Sequence, residues 1–460
     1  MANPVTSDAN LLTIYKTYYT DDKMEQLLFR NSPVAKKIKK TRITGKEFAF
    51  AMLYGRGGAV AGDFTVAVAN AASGSRNAEM KVQPGRIFSV FNITQLEKLA
   101  SNDTRGAYVP AVVDRMFGAT EAMRKTYAAA LYGTGYGEIG QIALITAAGA
   151  TTFVLTNDAI IKMDVGTKFQ VSSTVAPSSV FESVTVYTVT AISGNTVTFT
   201  PTATAVTGFI VNAWVEIAGC RDSGTAAPLL PFGLGAWIPS LDNRNSAAWT
   251  TYIGTAFNGV TRNIATDRLA GGFYLRNVGA SEKYSDAISQ GIRLVRRQGG
   301  VPTMIVLNDE DYMTVMSELT TQTNYWQGIN TSDKGSKNQV TRGISEMQFA
   351  FSTSYLDLVY DDPYCPKGTC YIIDEKVIEF VGLSNVDTPI NDGVTGNDPG
   401  AQDLQGIGDV DLQFKFIIDD YINIVPGTAT ADGPGAQVSL SLFGNWIVRN
   451  PAHCAVVKFN

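Results

Sequence analysis

From Val109 to Tyr132, across the stretch that opens at Pro110, apolar residues recur at three- and four-residue steps: Val109, Val112, Met116, Ala119, Met123, Tyr127 and Ala130. Asp114, Arg115, Glu121, Arg124 and Lys125 fall mostly elsewhere. One stripe at that period predicts a single amphipathic helix. Pro110 suits the first helical turn, where its missing N–H is not needed, and Gly133 supplies a left-handed stop. Such a helix runs for roughly 35 Å, about the width of a small domain, and serves as a spine.

Elsewhere the period shortens to two. From Lys46 to Tyr54, residues Phe48, Phe50, Met52 and Tyr54 share one face, while Glu47, Ala49, Ala51 and Leu53 share the other. That alternation predicts a strand, and a second is predicted at Arg86–Ile93, carrying Phe88 and Phe91. The interval GRGGAVAGDFTVAVANAASGSRNAEMKVQPG, which contains Gly57, Gly58 and Phe64, shows neither period strongly. A loop that long in a compact domain is functional or mobile. The expectation is a long β-hairpin whose extended tip needs something to lie against.

Upstream, Leu11, Leu12, Tyr15, Tyr18 and Tyr19 form a short helical pattern. Asp21 or Asp22 then caps a second helix with Met24, Leu27 and Leu28. The segment NSPVAKKIKKTR follows, with the one dense basic cluster, Lys36, Lys37, Lys39, Lys40 and Arg42. A solvated or partner-facing segment is the plain reading, and contact with DNA the sharper one.

Downstream, from about Ile142 to Gly219, the segments TTFVLT, TKFQVSS, SVTVYTVTAI, NTVTFTP and WVEIAG are short, β-branched and separated by turn residues. They predict an all-β module of roughly 75 residues that is inserted in the rest. An α/β pattern then resumes. Ser281 is expected to cap a helix to about Gln298, followed by a strand at Thr303–Leu307 and a helix capped by Asn308. After a polar loop at Gln322–Thr341, strands are expected at Tyr355–Tyr360, Thr369–Ile373, Val377–Val381, Phe414–Ile418 and Gln437–Phe443, with two more around Asn450 and Pro451. The whole predicts α+β with excess β.

Composition narrows the function. The 460 residues suit two to four subdomains, and a net charge of -5 with 17% charged residues argues against gripping nucleic acid. No apolar run approaches the roughly 18–20 residues that span a bilayer, and the start lacks a signal-peptide pattern, so a soluble chain without membrane contact is expected. Cys220, Cys365, Cys370 and Cys454 form no close pair and are expected to be reduced thiols, although Cys365 and Cys370 could clasp a turn.

Catalytic chemistry finds little support. His453 is the one histidine, so a His-ligated metal centre is not expected. Beside a strand, it and Cys454 would point to opposite faces, which spoils a nucleophile and base pair. Asp357, Asp361, Asp362, Asp374 and Glu375, and further on Asp409 and Asp411, read as turns rather than acid/base or Ca²⁺ sites. The GxGxxG at Gly135, Gly137 and Gly140 follows a helix and leads toward strands, the reverse of the dinucleotide-binding context. No enzyme activity, metal or cofactor is expected.

The phrases NSPVAKKIKKTRITGKEFAFAMLYG (31–55), AAALYGTGYGEIG (128–140), DDPYCPKGTCYIID (361–374) and the closing FGNWIVRNPAHCAVVK, in that order, resemble the major capsid proteins of tailed double-stranded DNA bacteriophages. That family has the Hong Kong 97 type capsid fold. The resemblance implies an N-terminal arm at 1–45, an extended loop at 46–95, a peripheral domain with the spine helix at 96–141, an inserted β-barrel-like domain at 142–220, a peripheral connection at 221–280, an axial domain at 281–381 and a return to the peripheral domain at 382–460. It implies subunit contacts through Phe48, Phe50, Met52, Tyr54, Gly57, Gly58, Phe64, Phe88 and Phe91 of the loop, the basic arm residues Lys36, Lys37, Lys39, Lys40 and Arg42, and a spine core of Val112, Met116, Met123 and Tyr127. It further implies self-assembly into pentamers and hexamers of an icosahedral shell in the host bacterial cytoplasm, with portal, scaffold and decoration proteins as partners. The shell would enclose double-stranded DNA without sequence-specific binding. Few residues precede the loop, which implies a separate scaffold or another nucleating device. A tail or surface-adhesin protein would share the β module and the glycine content but would not need the spine and hairpin together, and an α/β enzyme could use the Ser281–Leu319 unit but would lack a recognisable catalytic set. Deleting Gly57–Gln83 is expected to leave a folded monomer that forms no shells.

Overall fold

The computed structural model describes residues 33–43, 45–55, 60–70, 76–94, 111–145, 151–156, 159–172, 185–201, 211–222, 227–240, 247–322, 349–351, 354–356, 358–383, 422–429 and 435–459. The helices expected before residue 30, the loop after Gln322 and the strand at Phe414–Ile418 lie outside them. Two compact units divide the chain: Met1–Asn31, Arg86–Tyr127 and Gly382–Phe443 form the first, and Ser32–Gly85, Ala128–Val381 and Gly444–Asn460 the second.

In chain order, α1 (Pro33–Lys37) and β1 (Lys39–Ile43) lead to β2 (Phe48–Gly55), α2 (Phe64–Asn70), β3 (Arg76–Val82), β4 (Gly85–Thr94) and the long α3 (Ala111–Ala130). α3 is the expected spine. Its last bonds tighten, Tyr132 N donating to Ala129 O and Gly133 N to Ala130 O, before the chain turns away. The final turn is held within the second unit, where the Tyr132 hydroxyl donates to the buried Asp362 carboxylate at 2.8 Å.

Next come β5 (Glu138–Ile145), β6 (Thr152–Leu155), β7 (Lys168–Ser172), β8 (Tyr187–Ser193), β9 (Thr196–Thr200) and β10 (Trp214–Ile217). They close into a barrel in the order β10-β5-β6-β9-β8-β7, antiparallel at every pair. Alternate side chains fill it: Phe153, Phe169, Tyr187 and Phe199 meet at its centre with ring centroids 5.4–5.7 Å apart. A small barrel so filled is a packed core rather than a ligand cavity.

The chain enters the barrel at Glu138 and leaves at Ile217 on neighbouring strands, four residues earlier than the sequence pattern suggested at the start. The GxGxxG glycines build this neck. Gly135 and Gly137 have φ of +97° and +74°, and a Cβ on Gly137 would lie 2.7 Å from the Cys220 Sγ. On the other side of the neck the buried Glu216 carboxylate accepts from the Ser172 hydroxyl at 2.7 Å and from Arg221 Nε at 2.6 Å. The Arg221 guanidinium lies 4.4 Å from the Tyr136 ring centroid.

The rest comprises α4 (Leu234–Trp237), α5 (Ala247–Gly254), α6 (Thr266–Leu269), β11 (Gly272–Leu275), α7 (Tyr284–Arg297), β12 (Met304–Leu307), α8 (Asp309–Gln322), the small hairpin β13 (Phe349–Phe351) and β14 (Ser354–Leu356), β15 (Leu358–Asp361), β16 (Thr369–Ile373), β17 (Ile378–Leu383), β18 (Ile422–Ala429), β19 (Gly435–Val448) and β20 (Ala455–Lys458). The strand expected at Tyr355–Tyr360 is thus split between β14 and β15. A mixed sheet in the order β11-β20-β16-β12-β15 is covered by α7, whose Ile288, Ile292 and Val295 pack with Ile305, Ile372 and Val457. Gly291 lets the helix close on the sheet, since a Cβ there would lie 2.5 Å from Ile372 Cδ1 and from Val457 Cγ2.

Ser281 does not cap α7. It sits at φ +54° before the helix, and Glu318 of α8 instead accepts from the Tyr284 and Ser285 amides at 3.1 and 3.2 Å. A carboxylate from a neighbouring helix satisfies the orphan donors as a local cap would. Asn308 does cap α8, accepting from Glu310 N at 3.1 Å.

In the second unit the end of β19 lies in the sheet order β1-β17-β19. In the first unit the earlier part of β19 pairs antiparallel with β18, Ile422 opposite Leu442, and the Phe88 ring of β4 meets Phe443 edge-on at 5.6 Å.

Candidate subunit-contact surfaces

The hairpin is real, but its second strand is not the one expected. β2 pairs antiparallel with β3, from Phe48 opposite Val82 to Leu53 opposite Asn77, while β4, with Phe88 and Phe91, pairs with β19. The strand signal in RNAEMKV is short: Ala78, Met80 and Val82 alternate with polar residues inside an Ala- and Gly-rich stretch. The deletion Gly57–Gln83 would therefore remove β3, with its buried Met80 and Val82, and damage the fold rather than only the loop.

The strict alternation of β2 is kept. Phe48, Phe50, Met52 and Tyr54 turn inward, and Ala49, Ala51 and Leu53 are exposed. Four contacts within the second unit fix the hairpin. Phe50 lies 6.2 Å from the Trp237 ring, the Arg449 guanidinium sits 5.7 Å over Phe48, Arg268 Nη1 donates to Tyr54 O at 2.6 Å, and Lys81 N donates to Asn258 O at 3.0 Å. Arg449 is itself held by Glu379 through its Nε at 2.6 Å.

Beyond the fixed part, the character changes. α2 reads FTVAVAN and is capped by Asp63, whose Oδ1 accepts from Thr65 N at 2.7 Å. Its apolar residues point to all sides, and Phe64 is 83% exposed, with Val60, Val66 and Val68 also exposed. A helix apolar all round is ordinarily buried. Nothing among the described residues covers this one. Gly57 and Gly58 lie outside the described residues.

The basic segment is partly absorbed by its own chain. Val34, Ala35 and Ile38 are buried, and Thr41 donates to Glu379 at 3.0 Å. Lys37 Nζ donates to the Tyr360 hydroxyl at 3.0 Å and pairs with Glu375 at 3.5 Å. Burial opposes the Lys37 charge, but Tyr360 and Glu375 together hold its pKa above the ordinary lysine value. Lys39 is exposed and Lys40 half-buried, while the side chains of Lys36 and Arg42 lie outside those described.

In the spine, Met123 and Tyr127 are buried, but so are Glu121 and Lys125, which the helical period placed off the stripe. Glu121 accepts from Arg124 at 3.0 Å. The side chains of Val112 and Met116 lie outside those described.

The described cysteines, histidine and acidic residues occupy structural positions. All four cysteines are free and buried, and burial raises each thiol, Cys220 and Cys454 to about 12. Such thiols are poor nucleophiles. His453 lies in a short 3-10 turn rather than a strand, its Nδ1 3.8 Å from Asp374. Asp362 makes the expected turn, accepting from Tyr364 N at 3.0 Å, and Asp374 accepts from Lys376 N at 3.2 Å. Asp357, Asp409 and Asp411 lie outside the described residues.

This architecture is an α+β capsid-protein fold. The chain is similar to that in the Cyanophage A-1(L) capsid asymmetric unit, with a TM-score of 0.55 and 11% identity over 96% of each chain. Similarity also extends to a chain of Mycobacterium phage Bobi, at 8% identity and TM-score 0.43 over 100% of this chain and 99% of that one. The holo-SrpI encapsulin complex from Synechococcus elongatus PCC 7942 gives 7% identity and TM-score 0.43 over 100% and 96%. No family model matches the chain, and no curated protein does. The resemblance to phage capsid proteins read from the sequence is therefore met at the level of the fold.

Proposed function

We propose that this chain is a structural subunit of a phage capsid of the Hong Kong 97 type, without enzymatic activity, which assembles as pentamers and hexamers of an icosahedral shell around double-stranded DNA. The observation that carries this reading is a fold shared with a phage capsid chain along nearly its whole length. The hairpin agrees with it: one end is fixed to its own subunit, and the other carries an apolar helix with no cover among the described residues. Net negative charge suits a wall that encloses DNA without gripping it. The barrel between Glu138 and Ile217 is read as an insertion domain, and scaffold, portal and decoration proteins as partners of the shell assembled in the host cytoplasm.

Negative-stain electron microscopy with sedimentation of the purified chain, alone and expressed with the neighbouring scaffold and portal genes, tests the proposal. Rings of five and six or closed shells are expected, and removal of residues 60–70 should abolish them while leaving a folded subunit. A chain that stays monomeric under both conditions would defeat the reading.

A further inference from the structure

Asn258 and Gly259 are the one Asn-Gly pair in the 460 residues. The fold places them at the centre of a tight turn. Phe257 and Val260 exchange both main-chain hydrogen bonds, at 2.9 and 3.0 Å, and Asn258 and Gly259 stand in the left-handed region at φ +50° and +87°. A turn of that kind requires positive φ at both central residues, and asparagine followed by glycine meets the need at least steric cost. The turn also holds the hairpin, because the Asn258 main-chain oxygen accepts from Lys81 N of β3 at 3.0 Å.

The same pair is chemically exposed. A glycine after asparagine has no side chain to keep its main-chain nitrogen away from the asparagine carboxamide. Gly259 is exposed, with nothing within 4 Å of where a Cβ would stand, and its N–H donates to none of the described residues. The Asn258 Nδ2 is buried, yet it too finds no acceptor among them. Neither the attacking nitrogen nor the leaving one is tied down. Asn212 supplies a contrast within the chain: it is also left-handed, at φ +67°, but the residue after it is Ala213, fully buried in the barrel.

We propose that Asn258 and Gly259 form a site of spontaneous main-chain rearrangement that limits the lifetime of the hairpin's attachment. The Gly259 nitrogen gives its proton to solvent and bonds to Asn258 Cγ, the Cγ–Nδ2 bond breaks, and Nδ2 leaves as ammonia with a proton taken from water. Water then opens the cyclic imide at either of its carbonyls. One opening gives aspartate and keeps the turn. The other gives isoaspartate, which lengthens the main chain of the turn by one atom and makes the oxygen that receives Lys81 N part of a pendant carboxylate. The Phe257 and Val260 pair and the tie to β3 then loosen together. The reaction consumes water alone, so it does not depend on the capsid reading.

The test ages the full-length chain in warm, mildly alkaline buffer, beside a portion held in denaturant, and follows each peptide by mass spectrometry. In the native chain Asn258 is expected to exchange its NH2 for OH several times faster than Asn212 or any other described asparagine, and an isoaspartyl methyltransferase should label that peptide. In the aged fraction the Lys81 amide should exchange with deuterium faster than in fresh chain, while the amides of β12 keep their rates. Asn258→Asp supplies the aspartate product directly and should leave the Lys81 amide protected, which separates added charge from a rearranged main chain. A native chain that keeps Asn258 while the denatured portion loses it would overturn the site, as would equal conversion at Asn212. Conversion that leaves the Lys81 amide unchanged would overturn the effect on the hairpin.

Discussion

Truncating Phe64 to alanine tests the tip as a source of assembly energy. Burying a phenylalanine side chain fully is worth about 1.5–3 kcal/mol. Phe64 is 83% exposed in the isolated chain, so most of that is still available to a contact, and the alanine keeps only the Cβ. The expected loss is about 2 kcal/mol for each tip that docks. Each copy donates one tip, so the loss counts once per copy in a closed lattice. At about 1.4 kcal/mol for each factor of ten, the concentration at which shells begin to form should rise roughly 30-fold. The free subunit should unfold as before, within about 0.5 kcal/mol, because an exposed side chain contributes little to its own fold. Light scattering across a concentration series, with sedimentation to separate shells from subunits, reads the threshold directly. An unchanged threshold, or a subunit destabilised as much as the lattice, would refute the assignment of Phe64 to a contact between copies.

Three further changes examine the fold that carries the tip. Gly233→Ala should destabilise the second unit by roughly 3 kcal/mol or more, read as a fall in thermal midpoint, because a Cβ there would lie 2.1 Å from Ala130 O and 2.3 Å from Leu131 O. Gly118→Ala, in open space on α3, should instead stabilise by about 0.5–1 kcal/mol. Glu318→Ala should cost about 1–2 kcal/mol and speed amide exchange at Tyr284 and Ser285, whose N–H groups it accepts. A thiol reagent at pH 8 should leave the native subunit unmodified and label all four cysteines once denaturant unfolds it, since burial both covers the thiols and raises their pKa.

What the sequence made legible was local. Phe48 to Tyr54 show their inner face by alternation alone, and the barrel strands announce themselves through β-branched runs divided by turns. β3 is not legible because only Ala78, Met80 and Val82 mark its inner face, too few to outweigh the glycines and alanines around them. Local spacing points to Ser281 as a cap, whereas the acceptor that serves α7 is Glu318, 34 residues away from Tyr284. The basic segment hid the same difficulty: Lys37 donates to Tyr360, a partner 323 residues distant, and its charge is paired with Glu375. Helical period likewise set Glu121 aside as a surface residue, yet it is buried with Arg124 beside it.

The fixed part of the hairpin gives the tip its effect. A flexible loop ending in an apolar helix would lose conformational entropy on docking, and that loss would offset much of the roughly 2 kcal/mol gained from a ring such as Phe64. Phe50 against Trp237, Arg268 on Tyr54 O and Asn258 on Lys81 N have already ordered β2 and β3 within the subunit. Less of the chain is then left to order when a neighbour arrives. Assembly on this view should be more sensitive to loosening those contacts than their contribution to subunit stability suggests. Arg268→Ala removes a single exposed hydrogen bond, yet it should raise the assembly threshold several-fold while lowering the subunit's stability by about 1 kcal/mol or less. Equal effects on both would mean that the tip docks as a free tether, and that anchorage of β2 and β3 adds nothing to the contact.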